Sequence, residues 1–295
     1  MKIGYPCLNR TLGCQGNKTF RLKSYSESRL IEAVNNNLSC LLKILRFNLE
    51  NRILFFRITS DLIPFASHPI CKFKWQLHFK DRFKEIGRFI KKHRLRISMH
   101  PDQFTLINSI NEEIFNRSRR ELLYHARVLD LMGLGPDAKI QIHIGGVYGD
   151  KPSSIKRFIS RFNLLDMAVR RRLVIENDDL SYTLKDCLLI SRKTNTPVLF
   201  DIFHHSLNSS GESVTSGIKQ AQKTWRKKDG ILMVDYSNQR PLAKPGSHAE
   251  SLDTRKFKKF LKETKAYNFD IMLEIKDKEK SALKALAVLP KGRFL

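Results

Sequence analysis

The sequence predicts an α/β protein: a single (β/α)8 TIM barrel spanning residues 1–295, with a metal site on its C-terminal face. Three observations lead there. First, six short strand-like runs each end in a His, Asp or Glu: 95–99 before His100, 139–142 before His143, 173–175 before Glu176, 198–200 before Asp201, 231–234 before Asp235 and 270–273 before Glu274. Runs that are apolar on consecutive residues are strands covered on both faces, as in a parallel sheet. Second, the end residues lie 43, 33, 25, 34 and 39 positions apart, room for one strand, one helix and two loops per unit. Third, 295 residues with 41% hydrophobic content, 14 Gly and 10 Pro suit a barrel with a substantial core and show no Gly- or Ser-rich linker.

Taken in order, 2–5 is strand 1, followed by a loop to about Tyr25. Ser26 caps a helix with Glu27 in its first turn, and Leu30, Val34, Leu38, Leu41 and Leu45 repeat at helical spacing. Strand 2 is 53–58 and carries Arg57; the long, partly apolar loop 62–69 contains His68. A helix over 81–93 precedes strand 3, and the turn Pro101-Asp102-Gln103-Phe104 exposes an aromatic at its tip. A helix over 111–132 stops at Gly133, strand 4 ends at His143, and 153–166 is helical. Strand 5 ends at Glu176 before a helix over 180–193. Strand 6 ends at Asp201, with His204 three residues later, and 213–227 is helical. Strand 7 ends at Asp235. A polar loop then carries Gln239, Pro245 and His248, a helix covers 252–264, and strand 8 is 269–274. Strands and helices in strict alternation imply a parallel sheet. Eight polar strand ends imply closure, because an open doubly wound sheet would not bring them to one point.

Bulk properties set further bounds. Lys and Arg number 54 against 29 Asp and Glu, a formal charge of +25 and a pI near 10.0. The basic residues are spread through the folded body, so the expected partner is a polyanion, DNA or RNA by default. No apolar run approaches the roughly 20 residues that span a bilayer, and the N-terminus lacks the apolar core of a signal peptide. Five scattered cysteines with no Cys-x-x-Cys pair suggest reduced thiols in a cytoplasmic protein.

In a closed barrel His100, His143, Glu176, Asp201, His204, Asp235, His248 and Glu274 converge. Close carboxylates and imidazoles repel or titrate unless cations lie among them, and mixed His/Asp/Glu sites suit Mn²⁺, Zn²⁺ or Fe²⁺. So many donors exceed the needs of one ion, and two or three are expected, clamping a phosphoryl group. For His100, His143 and His204 the ligand reading outweighs a core position; for His68 and His205 a core or supporting place is the better expectation.

The residues also resemble the UV damage endonuclease family, DNA repair enzymes whose TIM barrel is similar to endonuclease IV. The likeness covers nearly the whole chain: Gly4-Tyr5-Pro6-Cys7, Leu45-Arg46-Phe47-Asn48, Phe56-Arg57-Ile58, Ile63 to Pro69, Ser98 to Gln103, His143-Ile144-Gly145-Gly146, Glu176-Asn177-Asp178, Asp201 with His204-His205, His248 and Glu274-Ile275-Lys276. The resemblance implies cleavage of the phosphodiester 5′ to UV photoproducts such as pyrimidine dimers, with abasic sites as a further substrate. It implies Mn²⁺ foremost, with Zn²⁺ or Mg²⁺ as alternatives, and Glu176, Asp201 and Glu274 at the catalytic centre. His100, His143, His204 and His248 would be ligands beside them. Gln103 and Phe104 would wedge into damaged double-stranded DNA, Tyr5 and Asn9 would lie near the flipped dinucleotide, and Arg57 and His68 would contact the DNA. A monomer acting on the nucleoid is expected.

Strand 7 departs from the family's pattern. There a lysine that can be carboxylated is followed two residues on by a histidine; here those places are Met233 and Asp235. Methionine cannot carry a carbamate, so Asp235 is expected as an oxygen ligand in its place, and ion number and preference are open. Two rival readings stand beside this one: a sugar isomerase or epimerase on a similar barrel, and a DNA-binding barrel without catalysis. The charge of +25 and the exposed Gln103-Phe104 disfavour the first, and the intact donor set disfavours the second.

Overall fold

A computed structural model describes residues 1–290. Eight parallel strands close in sequence order: β1 (Ile3–Pro6), β2 (Phe55–Ile58), β3 (Arg96–Met99), β4 (Lys139–His143), β5 (Leu173–Glu176), β6 (Val198–Asp201), β7 (Leu232–Tyr236) and β8 (Phe269–Leu273), with β1 hydrogen-bonded to both β2 and β8. The helices between them are α1 (Glu27–Glu50), α2 (Trp75–His78), α3 (Lys80–Lys92), α4 (Glu112–Leu131), α5 (Lys151–Phe162), α6 (Met167–Arg170), α7 (Leu184–Thr194), α8 (Ile202–Leu207), α9 (Val214–Gln222), α10 (Thr254–Glu263) and α11 (Glu279–Ala287). The expected barrel is therefore what the chain forms.

Strand alternation sorts the residues into two cores. Side chains such as Phe56, Ile97, Ile140, Ile175, Phe200, Val234 and Ile271 point outward and pack under the helices in the larger core. Phe55, Val174, Leu199, Met233 and Met272 form a separate buried cluster inside the barrel. Two residues further along each of those strands stand Arg57, Glu176, Asp201, Asp235 and Glu274. The apolar layer is thus a floor, and the charged layer above it faces the C-terminal mouth. On the opposite side of the floor, buried Arg96 pairs with Asp270 at 2.7 Å and Lys139 with Asp229.

Helix ends follow local chemistry. Ser26 accepts from the Arg29 amide, Asn111 from Glu113 and Ile114, and Asp253 from Arg255 and Lys256. The predicted boundaries shift in places: α7 begins at Leu184 behind a Thr183–Asp186 capping box, leaving Leu180 in an exposed loop. Four helices were not read from sequence, the four-residue α6 among them. The short α2 and α8 have too few residues to show a period, and α11 follows the last strand that was read.

The cysteine expectation is corrected. Cys14, in the β1–α1 connection, and Cys40, in α1, form a disulfide with Cα atoms 5.8 Å apart, while Cys7, Cys71 and Cys187 are free. A separation of 26 residues carries no sequence signature; the pair forms because the β1–α1 loop folds back along α1. The loop is also held by Lys18, whose amide donates to the buried Asn37 side chain. No helix among the described residues is long and apolar enough to cross a membrane.

Candidate active site

The C-terminal strand ends bring the predicted donors together. Glu176, at the end of β5 and 1% exposed, is the hub. His100 Nε2 lies 3.6 Å and His143 Nε2 3.9 Å from Glu176 Oε2, and His204 Nδ1 lies 3.3 Å from Oε1. Asp201 ends β6, and its Oδ1 accepts the His204 amide at 2.7 Å, so the carboxylate starts α8 and the helix in turn sets the imidazole. His204 Nδ1 is 3.5 Å from Asp201 Oδ2. His248 Nε2 is 3.8 Å from Glu274 Oε2.

Three donor sets overlap: His100, His143 and Glu176; Glu176, Asp201 and His204; Asp201, Asp235 and Glu274. Within each set the ligand atoms lie within 4.8 Å of one another, so each could hold a metal ion. Glu176 links the first two sets and Asp201 the last two, an arrangement suited to bridging carboxylates. Unpartnered buried atoms fit such ions: His143 Nδ1, Asp201 Oδ2 and Asp235 Oδ1 have no hydrogen-bond partner.

Neighbours orient the candidate donors, as imidazoles that bind a metal would require. His100 Nδ1 is 2.8 Å from the Pro101 carbonyl, His204 Nδ1 is 3.1 Å from the Asn177 carbonyl, and His248 Nδ1 is 2.9 Å from Ser237 Oγ. Donation from Nδ1 directs Nε2 of His100 and His248 into the site, whereas His204 Nδ1 itself faces Glu176 and Asp201. The Asn177 side chain clamps the Asp201 backbone, accepting from its amide at 3.0 Å and donating to its carbonyl at 2.9 Å.

The ionisation pattern follows. Burial raises Glu176, but His143, His100 and His204 outweigh it and hold the carboxyl well below its usual range. Burial pushes Asp201 up to about 8, opposed by His204 and reinforced by Glu176 and Glu274. Burial disfavours the charged form of His204, yet Asp201 and Glu176 raise it to about 11. The pair therefore holds protons that a bound cation would displace. Burial lowers His143.

Arg57 is the main surprise. It was expected to contact DNA, but it is 2% exposed and reaches up inside the barrel. Its Nη2 donates to Asp235 Oδ2 at 2.6 Å and to Gln141 Oε1 at 2.7 Å, and its Nη1 donates to Glu274 Oε1. Burial costs the guanidinium, but Asp235 and Glu274 keep it protonated, and it holds Glu274 down to about 2. Asp235 is pushed well above its usual range by burial, against Arg57. One of its oxygens is thus committed to Arg57 and the other is free for an ion. Met233 lies in the apolar floor directly beneath.

Tyr5 and Asn9, expected near the flipped dinucleotide, are held by other groups of the protein. Tyr5 is fully buried, donating to Asn48 Oδ1 at 2.7 Å and accepting from Asn9 Nδ2 at 2.9 Å. Asn9 is 5% exposed and uses its carbonyl to hold the Thr11 and Leu12 amides. With these partners filled by the protein itself, both brace the β1 loop. Gln103 and Phe104 do project, as expected: Phe104 is 73% exposed, presented by a turn in which Asp102 Oδ1 accepts its amide at 2.8 Å. His68 is exposed away from the cluster and lines a groove of about 500 Å³ with Phe104, Arg117 and Arg120. His205 is buried and bonds the Glu212 carbonyl at 2.9 Å. Gln141, which bridges Arg57, Glu176 and Asp235, was missed. Its place two residues before His143 on β4 puts it on the same face, a signal that strand alternation alone could have supplied.

Fold and site together define a (β/α)8 barrel with a multi-donor, metal-type centre at its C-terminal mouth. By fold that class takes in endonuclease IV from Thermus thermophilus (TM-score 0.58, 12% identity, covering 84% of this chain and 92% of that one) and D-psicose 3-epimerase from Clostridium cellulolyticum (TM-score 0.54, 10% identity, 83% and 91%). The chain itself belongs to the UV-endonuclease family, UvdE, whose model matches residues 1–293. It is 41% identical over 288 residues to the UV DNA damage endonuclease of Clostridium perfringens (strain 13 / Type A), covering 97% of this chain and 70% of that one. The corresponding protein of Bacillus mycoides (strain KBAB4) is 34% identical over 269 residues, 90% and 85%. The crystal structure of SacUVDE superposes with a TM-score of 0.96 at 45% identity, covering 100% of both chains. Membership places the chain among DNA repair endonucleases.

Proposed function

We propose that this single-domain protein hydrolyses the phosphodiester on the 5′ side of UV photoproducts in double-stranded DNA, pyrimidine dimers foremost and abasic sites as well. The products are a 3′-hydroxyl and a 5′-phosphate that open excision repair. The observation that carries this reading is the continuity of the three donor sets through Glu176 and Asp201 beneath an open mouth. His100, His143, Glu176, Asp201, His204, Asp235, His248 and Glu274 would hold two or three divalent ions, Mn²⁺ first, with Zn²⁺ or Mg²⁺ as alternatives. Such ions supply a water acidic enough to serve as nucleophile at neutral pH and a countercharge for the leaving alkoxide. The protein's part is to fix the ligands: Pro101, Asn177 and Ser237 hold three imidazoles, and Arg57 with Gln141 holds three carboxylates. Gln103 and Phe104 fill the gap left when a damaged dinucleotide leaves the stack. The protein acts as a monomer on DNA in the cytoplasm.

The test is direct. Pure protein with Mn²⁺ is incubated with a duplex carrying one cyclobutane dimer, and the products are sized on a denaturing gel. A nick 5′ to the dimer is expected. Retarded migration without a nick would leave only a binding protein.

A further inference from the structure

The mouth contains a lysine that the metal-centred description leaves unused. Lys278 lines a cavity of about 410 Å³ together with Arg57, His100, His143, His248 and Glu274. It is half-buried, yet its ammonium has no ion-pair or hydrogen-bond partner among the described residues. Its neighbours on the same segment differ: Lys276 Nζ donates to Glu250 at 3.0 Å, and Lys284 Nζ lies 3.7 Å from Asp277. Burial pushes the Lys278 ammonium down, with Cys7 and Glu274 opposing.

The backbone at this position is strained. Lys278 has φ 55 and ψ −115, a conformation that suits glycine and is costly for a residue with a side chain. Its surroundings fix it there. The Lys276 and Asp277 amides bond the Ala249 and Glu250 carbonyls at 3.2 and 3.1 Å, and the Lys278 carbonyl accepts from Ala282 at 3.1 Å, opening α11. Glu279, fully buried, ties the turn to the β1 loop by accepting from the Arg10 amide at 2.9 Å and Thr11 Oγ1 at 2.7 Å. A strained turn held rigidly at the rim of the site therefore presents an unpaired cation to the mouth.

We propose that Lys278 is a catalytic residue that binds a non-bridging oxygen of the phosphodiester being cut, adding a fixed positive charge on the side of the mouth lined by Glu274. The proposal rests on the endonuclease reading above. A single point charge with three rotatable donors suits a phosphate oxygen, and a charge aimed at the reacting group in a partly desolvated cavity acts where negative charge gathers in the transition state.

Single-turnover cleavage of the dimer-containing duplex in Mn²⁺ tests it on wild type, Lys278→Met, Lys278→Arg and Lys278→Gly, with Mn²⁺ per chain, duplex affinity and melting temperature measured on the same preparations. Wild type should cut. Lys278→Met should cut about 100-fold more slowly, the usual loss on removing one such donor, with unchanged Mn²⁺ content and affinity within about threefold. Lys278→Arg should recover most of the rate. Lys278→Gly is the decisive variant: relief of the strained φ should raise the melting temperature while cleavage falls as far as in Lys278→Met. Cleavage by Lys278→Met within threefold of wild type, or a loss matched by falling Mn²⁺ content, would overturn the assignment. A wild-type protein that binds the duplex without cutting it would instead overturn the endonuclease reading itself.

Discussion

Glu176 carries more of this site than any other residue, because one carboxylate faces three imidazoles and ends a strand on the apolar floor. Glu176→Gln keeps the shape and removes the charge. Cleavage should fall at least about 100-fold, the upper end of the loss caused by removing even a supporting residue. Duplex binding should persist because phosphate contacts supply most of it; a gel-shift beside a nicking assay checks both. A variant cutting near the wild-type rate would remove Glu176 from the ligand set. The raised carboxyl of Asp201 and raised imidazole of His204 predict a pH effect of definite sign. Both groups hold protons in the folded protein at pH values where the unfolded chain has released them, so metal-free stability should fall as pH rises from about 4 through 8 for Asp201 and from about 6.5 upward for His204. Glu176 and Glu274 are shifted the other way, and their contribution is lost only below about 4.5. Mn²⁺ must displace the protons on Asp201 and His204, so its apparent affinity should rise between pH 6 and 8 with net proton release. Titration calorimetry in two buffers of different ionisation enthalpy measures that release; its absence would mean that the ions bind elsewhere. Most of these residues were legible in the sequence because each stands where an apolar run stops. Arg57 was not: a cation on a strand looks the same whether it meets DNA or two buried carboxylates, and only closure of the barrel brings Asp235 and Glu274 to it.

At the level of elements, the strand ends supply most of the candidate donors, α8 adds His204 and the β7–α10 loop adds His248, while the other loops offer the surface that DNA would meet. The β3–α4 connection shows the division: β3 delivers His100, and four residues later Phe104 stands 73% exposed. An aromatic that open gains nothing from packing, so Phe104→Ala should leave the melting temperature unchanged. Stacking on a base is worth about 1–3 kcal/mol, so the same substitution should weaken binding to a dimer-containing duplex by roughly ten- to a hundredfold. Undamaged duplex should bind almost as before. Equal loss on both duplexes would end the wedge assignment. The loop was legible because Pro101-Asp102 announces a turn and an aromatic follows it. The β1–α1 loop was less so. Tyr5 and Asn9 have the polarity of surface residues, and nothing local reveals that Asn48, far along the chain in α1, takes the Tyr5 hydroxyl. The Cys14–Cys40 bond escaped for the same reason, since both of its ends depend on how that loop returns along α1. The helix α8 is too short to show a period, yet it places His204, and the sequence signal that worked was the three-residue step from the capping Asp201.

For the molecule as a whole the governing quantity is a charge of +25 on 295 residues. The acidic groups of the mouth are internally balanced: Arg57 neutralises Asp235 and Glu274, and histidines surround Glu176. The excess therefore lies largely outside the donor cluster, including Arg117 and Arg120 beside the Phe104 groove, with Lys278 adding an unpaired charge at the rim of the site. A field of this kind attracts the phosphate backbone without reading sequence or damage. If about six to ten phosphates are engaged, duplex affinity should fall about 10³- to 10⁵-fold between 50 and 200 mM salt. Damaged and undamaged duplexes should lose affinity in parallel, because the phosphates are common to both and the wedge is uncharged. Their ratio, set by Phe104 and the extruded bases, should stay nearly constant across the series. Fluorescence anisotropy on both duplexes over that salt range measures slope and ratio together. A shallow slope, equivalent to about two phosphates or fewer, would show that the basic surface is solvated charge unconnected with DNA. A ratio that collapses with salt would show that damage is recognised through charge and not through stacking.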